Sequence, residues 1–219
     1  MHPGHPQNIE KTFVHEYRNA RHPEHIRDVQ DALKLLQKTY GLEGRYILVG
    51  HSCGATLAFQ CVMDKFQPSN EGEGESLAHP IAILGTEGIY SLRLLRDTHE
   101  DISAYQEFLE GAFGPDETAW DAVTPALKDS GGYSSVKYGW RGGRLAVLAH
   151  SAEDNLVDAS QGQEMKTALA LWMTAQGGRR ARSLSLKGEH DEPWQKGEEL
   201  ARAIVFTIDE LQKMTQIMG

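Results

Sequence analysis

The stretch that most restricts the fold is 46–60, YILVGHSCGATLAFQ. Residues 46–49 are bulky and uncharged, as in a strand buried on both faces, and those after Gly54 are good helix formers. A turn tight enough to join the two crowds the backbone around Ser52. The positions two before and two after it must then lack a Cβ, and Gly50 and Gly54 meet that requirement. This is the G-x-S-x-G nucleophile elbow, which holds a Ser hydroxyl above the carboxyl end of a parallel strand, at a helix N-terminus. A plain glycine-bounded loop is the competing reading; the strand before and the helix after favour the elbow.

The rest of the chain alternates in the same way. Residues 23–40 read as an amphipathic helix with Ile26, Val29, Leu33, Leu35 and Leu36 on its inner side, ended by Gly41 and Gly44. Strands are expected at 81–84, 144–149 and 180–186, a helix-rich stretch at 92–127, and helices at 162–174 and 198–214. Strands alternating with helices predict an α/β fold with a mostly parallel sheet and helices on both faces. With 219 residues, 40% of them hydrophobic, the chain is long enough for one sizeable core, and one domain over 1–219 is expected. Residues 67–76, QPSNEGEGES, are a low-complexity loop.

A formal net charge of -9 repels a phosphate backbone and disfavours an anionic membrane surface, so no nucleic-acid or membrane partner is expected. No apolar run approaches the roughly 18 residues of a membrane span, and MHPGHPQNIEKTF lacks the apolar core of a signal peptide. A cytoplasmic location is therefore expected. Cys53 and Cys61 lie about 12 Å apart along one helix, too far for a disulfide, so both are read as free thiols. His2, His5, His22 and His25 form two H-x-x-H pairs, but no Cys or acidic cluster completes a zinc set. They are read as loop residues, and no metal or cofactor is expected. Arg179, Arg180 and Arg182 are too small a cluster to set a partner.

In parallel sheets the chemistry collects at the carboxyl ends of the strands. The loop after 144–149 reads HSAEDNLVD and contains Asp154; the loop after 180–186 reads KGEHDEPW and contains His190. A Ser hydroxyl is a poor nucleophile until an imidazole takes its proton, and the imidazole needs a carboxylate to fix its tautomer. Ser52, Asp154 and His190 supply the three groups in the chain order Ser, Asp, His, which is that of α/β-hydrolases. Asp158 could replace Asp154 as the acid. An Asp after a strand is often only a helix cap, and His190 is one of ten histidines.

Taken together, RNARHPEHIRDVQDALKLLQKTYG, YILVGHSCGATLAFQ, GTEGIYSL, FLEGAFGPDETAW, HSAEDNLVD and GEHDEPW resemble the fungal kynurenine formamidase family over nearly the whole chain. These are α/β-hydrolases that hydrolyse N-formyl-L-kynurenine to kynurenine and formate. The resemblance implies Ser52 as nucleophile, Asp154 as acid, His190 as base and a small-molecule substrate. It implies the Cys53 N–H as an oxyanion donor, and pocket-lining positions in EGIY, Tyr90 among them, and at Trp194. Family members also carry an early H-G-G-x-W segment that supplies part of the oxyanion hole. This sequence has none, so three or four N-terminal strands and half of the hole are expected to be missing. The elbow strand should then form an open edge that invites a homodimer. A short-chain carboxylesterase and a non-catalytic binding protein on the same fold are the alternatives.

Overall fold

A computed structural model of the protein describes residues 20–67, 77–127 and 134–216. Four strands, β1 (Ile47–His51), β2 (Ala82–Thr86), β3 (Leu145–Ser151) and β4 (Arg180–Leu186), form one sheet in that order, every neighbouring pair parallel. Because the strands are in register, His51, Thr86, Ala149 and Leu184 lie side by side. The loops beyond them therefore gather at one edge of the molecule. Helix α1 (Glu24–Tyr40) precedes β1, and α2 (Cys53–Gln60) follows it. Between β2 and β3 lie α3 (Leu92–Thr98), α4 (Ser103–Phe113), α5 (Glu117–Val123) and α6 (Ser135–Gly139). Helix α7 (Ser160–Ala175) joins β3 to β4; α8 (Glu192–Lys196) and α9 (Glu198–Gln216) close the described chain.

The two faces of the sheet are covered by different helices, as alternation along the strands requires. Ile83, Ala146 and Leu148 pack with Ala55 and Phe59 of α2 and with Leu169 and Trp172 of α7. Ala82, Leu84, Leu145 and Val147 point the other way, onto Ala203 and Met214 of α9. Buried residues of α9 fall at 203, 207, 210 and 214, a single stripe at helical spacing. The expected parallel sheet with helices on both faces is the observed architecture.

Three local expectations need correction or limits. Helix α1 buries Ile26 and Leu33 with Val29 packed beside them, but Leu35 is 65% and Leu36 43% exposed. The apolar stripe that touches the body is narrower than the run of leucines suggests. His22 packs against Phe66 and Phe113, with ring centroids 5.3 and 5.6 Å away, and burial lowers its pKa. His2 and His5 lie outside the described residues, as do 68–76 of the low-complexity loop. Strand β1 is paired on one side only among the described residues, and Val49 is 39% exposed. No helix among them is long and apolar enough to cross a membrane.

Candidate active site

Strand β1 ends at His51 and α2 starts at Cys53, so Ser52 alone makes the turn, at φ 54° and ψ -122°. A non-glycine residue in that region is strained, and the surroundings must hold it there. The Ser52 N–H donates to the Thr86 carbonyl at 2.9 Å, while the Ser52 carbonyl accepts from Ala55 and Ile89 at 3.0 and 3.3 Å. The Thr56 hydroxyl ties α2 to the β2 loop through the Ile89 carbonyl at 2.7 Å. A Cβ on Gly50 would stand 2.3 Å from the Gly54 carbonyl oxygen. Gly50 is thus obligatory. A Cβ on Gly54 would meet nothing within 4 Å, so the steric requirement read from the sequence holds for Gly50 alone. Cys53, exposed at the first position of α2, presents one of the N–H groups that a helix start leaves without an intrahelical acceptor. Both cysteines are free, and burial pushes the Cys61 thiol up to about 12.

The loops after β3 and β4 bring Asp154 and His190 together: His190 Nδ1 lies 2.8 Å from Asp154 Oδ2. The Asp154 side chain is fully enclosed, and its Oδ1 accepts the Leu156 and Val157 N–H groups, each at 2.9 Å. Burial alone would raise its pKa. The bonds from His190, Val157 and Leu156 together outweigh that and hold the carboxyl below its ordinary range. Asp158, the alternative acid, instead accepts the Ser160 N–H at 2.8 Å, at the start of α7. With Nδ1 committed to Asp154, the imidazole has Nε2 left for exchanging a proton. His51, on the other side of the ring, has its pKa lowered by burial and by His190, against an opposing pull from Asp191.

Behind this pair sits a carboxyl that the sequence reading placed only among the pocket-lining positions of EGIY. Glu87, just past β2, is fully buried, has φ 49°, and takes the Ser151 N–H on both oxygens at 3.1 and 3.0 Å. Burial, with the neighbouring Asp154, pushes its pKa up to about 8 against the Ser151 bond. The following turn is clamped by Gln161, whose Oε1 accepts the Tyr90 and Ser91 N–H groups while its Nε2 donates to the Ser91 carbonyl. An acid at the end of an apolar strand, IAILGTEG, was the available signal for Glu87. Gln161, the second residue of α7, had none.

Ser52 and His190 open on one cavity of about 430 Å³, walled by Ile89, Ile102, Tyr105, Phe108 and Leu156 among others. A more polar hollow of about 320 Å³ adjoins it, sharing Asn155, Leu156 and His190 and edged by Glu189, Asp191 and Glu192. A larger cavity, about 530 Å³, lies at the amino ends of β1 to β3 against α9 and contains neither Ser nor His. The two expected pocket aromatics stand elsewhere. Tyr90 fills the core space left by Gly85 and Gly88, where a Cβ would come within 2.1 and 2.3 Å of its hydroxyl, and does not line the Ser52 cavity. Trp194 is 52% exposed on α8, its indole N–H donating to Asp191 at 3.2 Å, and it too is outside that lining.

Two sets of potential metal ligands occur among the described residues: His51, His190 and Asp191, and Glu87, His150 and Asp154. Each uses one member of the His190–Asp154 pair. The chemistry the arrangement offers without one is proton transfer beside a strained hydroxyl and a helix start, which is what acyl transfer requires.

Comparison with known proteins bears on this geometry. The chain is 39% identical over 196 residues to a Fusarium equiseti protein named kynurenine formamidase-like hydrolase fscH, covering 90% of this chain and 62% of that one. It is 40% identical over 202 residues to kynurenine formamidase avaC of Aspergillus versicolor, covering 84% and 66%. The chain thus spans somewhat under two thirds of the length of these curated relatives. No family model matches. Among solved structures it resembles an acetyl ester-xyloside bifunctional hydrolase from Caldicellulosiruptor lactoaceticus, with a TM-score of 0.59 and 14% identity over 92% of this chain and 68% of that one. It also resembles Thermogutta terrifontis esterase 2, with a TM-score of 0.56 and 17% identity over 93% and 69%. These likenesses establish the α/β-hydrolase fold.

Proposed function

We propose that this chain, a homologue of the fungal kynurenine formamidases with the α/β-hydrolase fold, is a serine hydrolase of small aryl formamides, with N-formyl-L-kynurenine as substrate. The observation that carries the reading is the His190 Nδ1 to Asp154 Oδ2 bond of 2.8 Å, made by a His that shares one aromatic-walled cavity with the strained Ser52.

In this reading Ser52 Oγ attacks the formyl carbon as His190 Nε2 takes its proton, and Asp154 holds the imidazolium that forms. The developing oxyanion meets the Cys53 N–H. The C–N bond then breaks, the aryl nitrogen leaves with the proton from His190, and a formyl ester remains on Ser52. Water attacks that ester with His190 again as base, releasing formate and restoring the hydroxyl. The apolar walls at Ile102, Tyr105 and Phe108 suit an aryl ring. The polar hollow edged by Glu189, Asp191 and Glu192 suits the ammonium end of an amino acid.

The test is formate and kynurenine release by the purified protein, with labelling of Ser52 by a fluorophosphonate as a parallel readout. Turnover that vanishes in Ser52→Ala supports the reading. Labelling with turnover of p-nitrophenyl acetate only would make it a carboxylesterase. Neither labelling nor turnover would leave a binding protein on a hydrolase fold.

A further inference from the structure

Two buried carboxyls in hydrogen-bonding reach of one another cannot both be ionised cheaply, so a proton must lie between them. Glu87 and Asp154 are such a pair. One oxygen of each carboxyl and one His150 nitrogen lie within 4.8 Å of one another, with His150 Nε2 3.4 Å from Glu87 Oε2 and 3.5 Å from Asp154 Oδ2. The partners decide where the proton sits. Asp154 accepts three N–H donors, two from the backbone and one from His190, and every one of them favours its ionised form. Glu87 accepts a single N–H, that of Ser151, shared between its oxygens. His150 Nε2 lies 2.8 Å from the Val157 carbonyl, which can only accept, so that nitrogen carries a hydrogen already committed elsewhere. No Lys or Arg pairs with Glu87 among the described residues. The proton therefore belongs to Glu87.

We propose that Glu87 is a positioning residue for the Asp154–His190 pair: a neutral, enclosed carboxylic acid that donates its O–H to the Asp154 carboxylate. This rests on the hydrolase reading of the site. The carboxylate of Asp154 is then held from two sides, by His190 in front and Glu87 behind, and its aim at His190 Nδ1 is fixed by a group on a different strand loop. The strained φ of 49° at Glu87 and the Gln161 clamp on the residues after it keep that acid in place. Loss of the proton would replace the donor by a second anion facing Asp154 and turn an attraction into a repulsion. The groups that face Glu87 and set this balance are His150 and Ser151 of β3, Asp154 beyond it, and the Tyr90 phenol of its own loop. His190, on the loop after β4, is bonded to Asp154.

Glu87→Gln keeps the volume and a donor but cannot ionise; Glu87→Ala removes the donor. Infrared difference spectra of the whole protein should show a protonated-carboxyl band at neutral pH that is missing from Glu87→Gln and fades in the wild type above about pH 8. The low-field Nδ1–H resonance of His190 should persist in Glu87→Gln and shift or broaden in Glu87→Ala. Fluorophosphonate labelling of Ser52 should slow about 10- to 100-fold in Glu87→Ala, the worth of one hydrogen bond to a charged group. Its alkaline decline in the wild type should be absent from Glu87→Gln. Identical infrared spectra for wild type and Glu87→Gln, or an unmoved His190 resonance in a folded Glu87→Ala, would overturn the proposal. Absence of labelling in every form, with band and resonance as expected, would sink the hydrolase reading instead and leave the Glu87–Asp154 proton standing.

Discussion

The rings of His51 and His190 lie 4.8 Å apart, tilted by 48°. The residue preceding Ser52 thus touches the imidazole that, in the proposed mechanism, carries a positive charge during acyl transfer. Burial and His190 both lower the His51 pKa and so favour its neutral form, against the pull of Asp191, which suits it to pack against a charged His190 ring. His51→Arg would set a permanent cation there, costing roughly 3 kcal/mol at an effective dielectric of about 20, less with solvent screening. Labelling of Ser52 is expected to fall about 10- to 100-fold, with the acid limb of its pH profile moved to lower pH. His51→Gln should change it only a few-fold.

The elbow glycines should behave unequally. Gly50→Ala forces a Cβ against the Gly54 carbonyl and is expected to abolish Ser52 labelling and lower the thermal midpoint. Gly54→Ala meets open space and is expected to leave both close to wild type, since alanine also favours the helix. Equal damage from the two would show that the turn is held differently.

Asp154→Asn and Asp158→Asn separate the two candidate acids. The first removes the charge that orients His190, and kcat should drop by roughly three to four orders of magnitude. The second weakens an acceptor at the start of α7, with a stability loss of about 1 kcal/mol or less and unchanged turnover. Steady-state kinetics and urea melts on both variants check the ranking.

Stability should respond to pH with opposite signs at the two buried carboxyls. The Glu87 pKa is raised from 4.5 to about 8, so its contribution is complete below about pH 4.5 and is lost as pH rises towards 8. The Asp154 pKa is lowered from 3.8, so its contribution is present above that value and lost as pH falls through the folded-state pKa. Urea midpoints of Glu87→Gln relative to wild type should therefore increase steadily between about pH 5 and pH 8. A flat difference would mean that Glu87 ionises freely.

Phe108, 47% exposed at the cavity wall, offers ring surface that the proposed aryl substrate would cover. Such a contact, remote from the reacting carbonyl in the proposed mechanism, would be the same in ground and transition states. Phe108→Ala is expected to raise KM about 5-fold and leave kcat within about twofold, read from progress curves with the formamide.

The elbow was legible because its cause is local: a backbone collision between positions 50 and 54 writes itself into adjacent letters. Asp154 and His190 were legible by a topological rule, since parallel strands deliver their following loops to one edge. Glu87 was not, although it lies on that same edge. Its meaning depends on a carboxyl far along the chain, so the sequence placed it only among the pocket-lining positions of EGIY. Tyr90 and Trp194 failed for the complementary reason. Which way an aromatic turns is decided by the space its neighbours leave, and Gly85 and Gly88 drew Tyr90 into the core. Leu35 and Leu36 show the same limit on a helix: periodicity gives a face, and contact area decides how much of that face is used.

The strand that delivers Ser52 is bonded to β2 alone among the described residues, while β2 and β3 are each bonded on both sides. Edge hydrogen bonds open at lower free energy than those of a sheet interior. On warming, the φ of 54° at Ser52 can be released by a local excursion of β1 that leaves β2, β3, β4 and their helices intact. Reactivity should consequently disappear some degrees below the temperature at which the helical signal collapses, and return on cooling. Shelf life and folding free energy are then separate properties of this molecule. A change that braces only β1 would lengthen the first while scarcely moving the second.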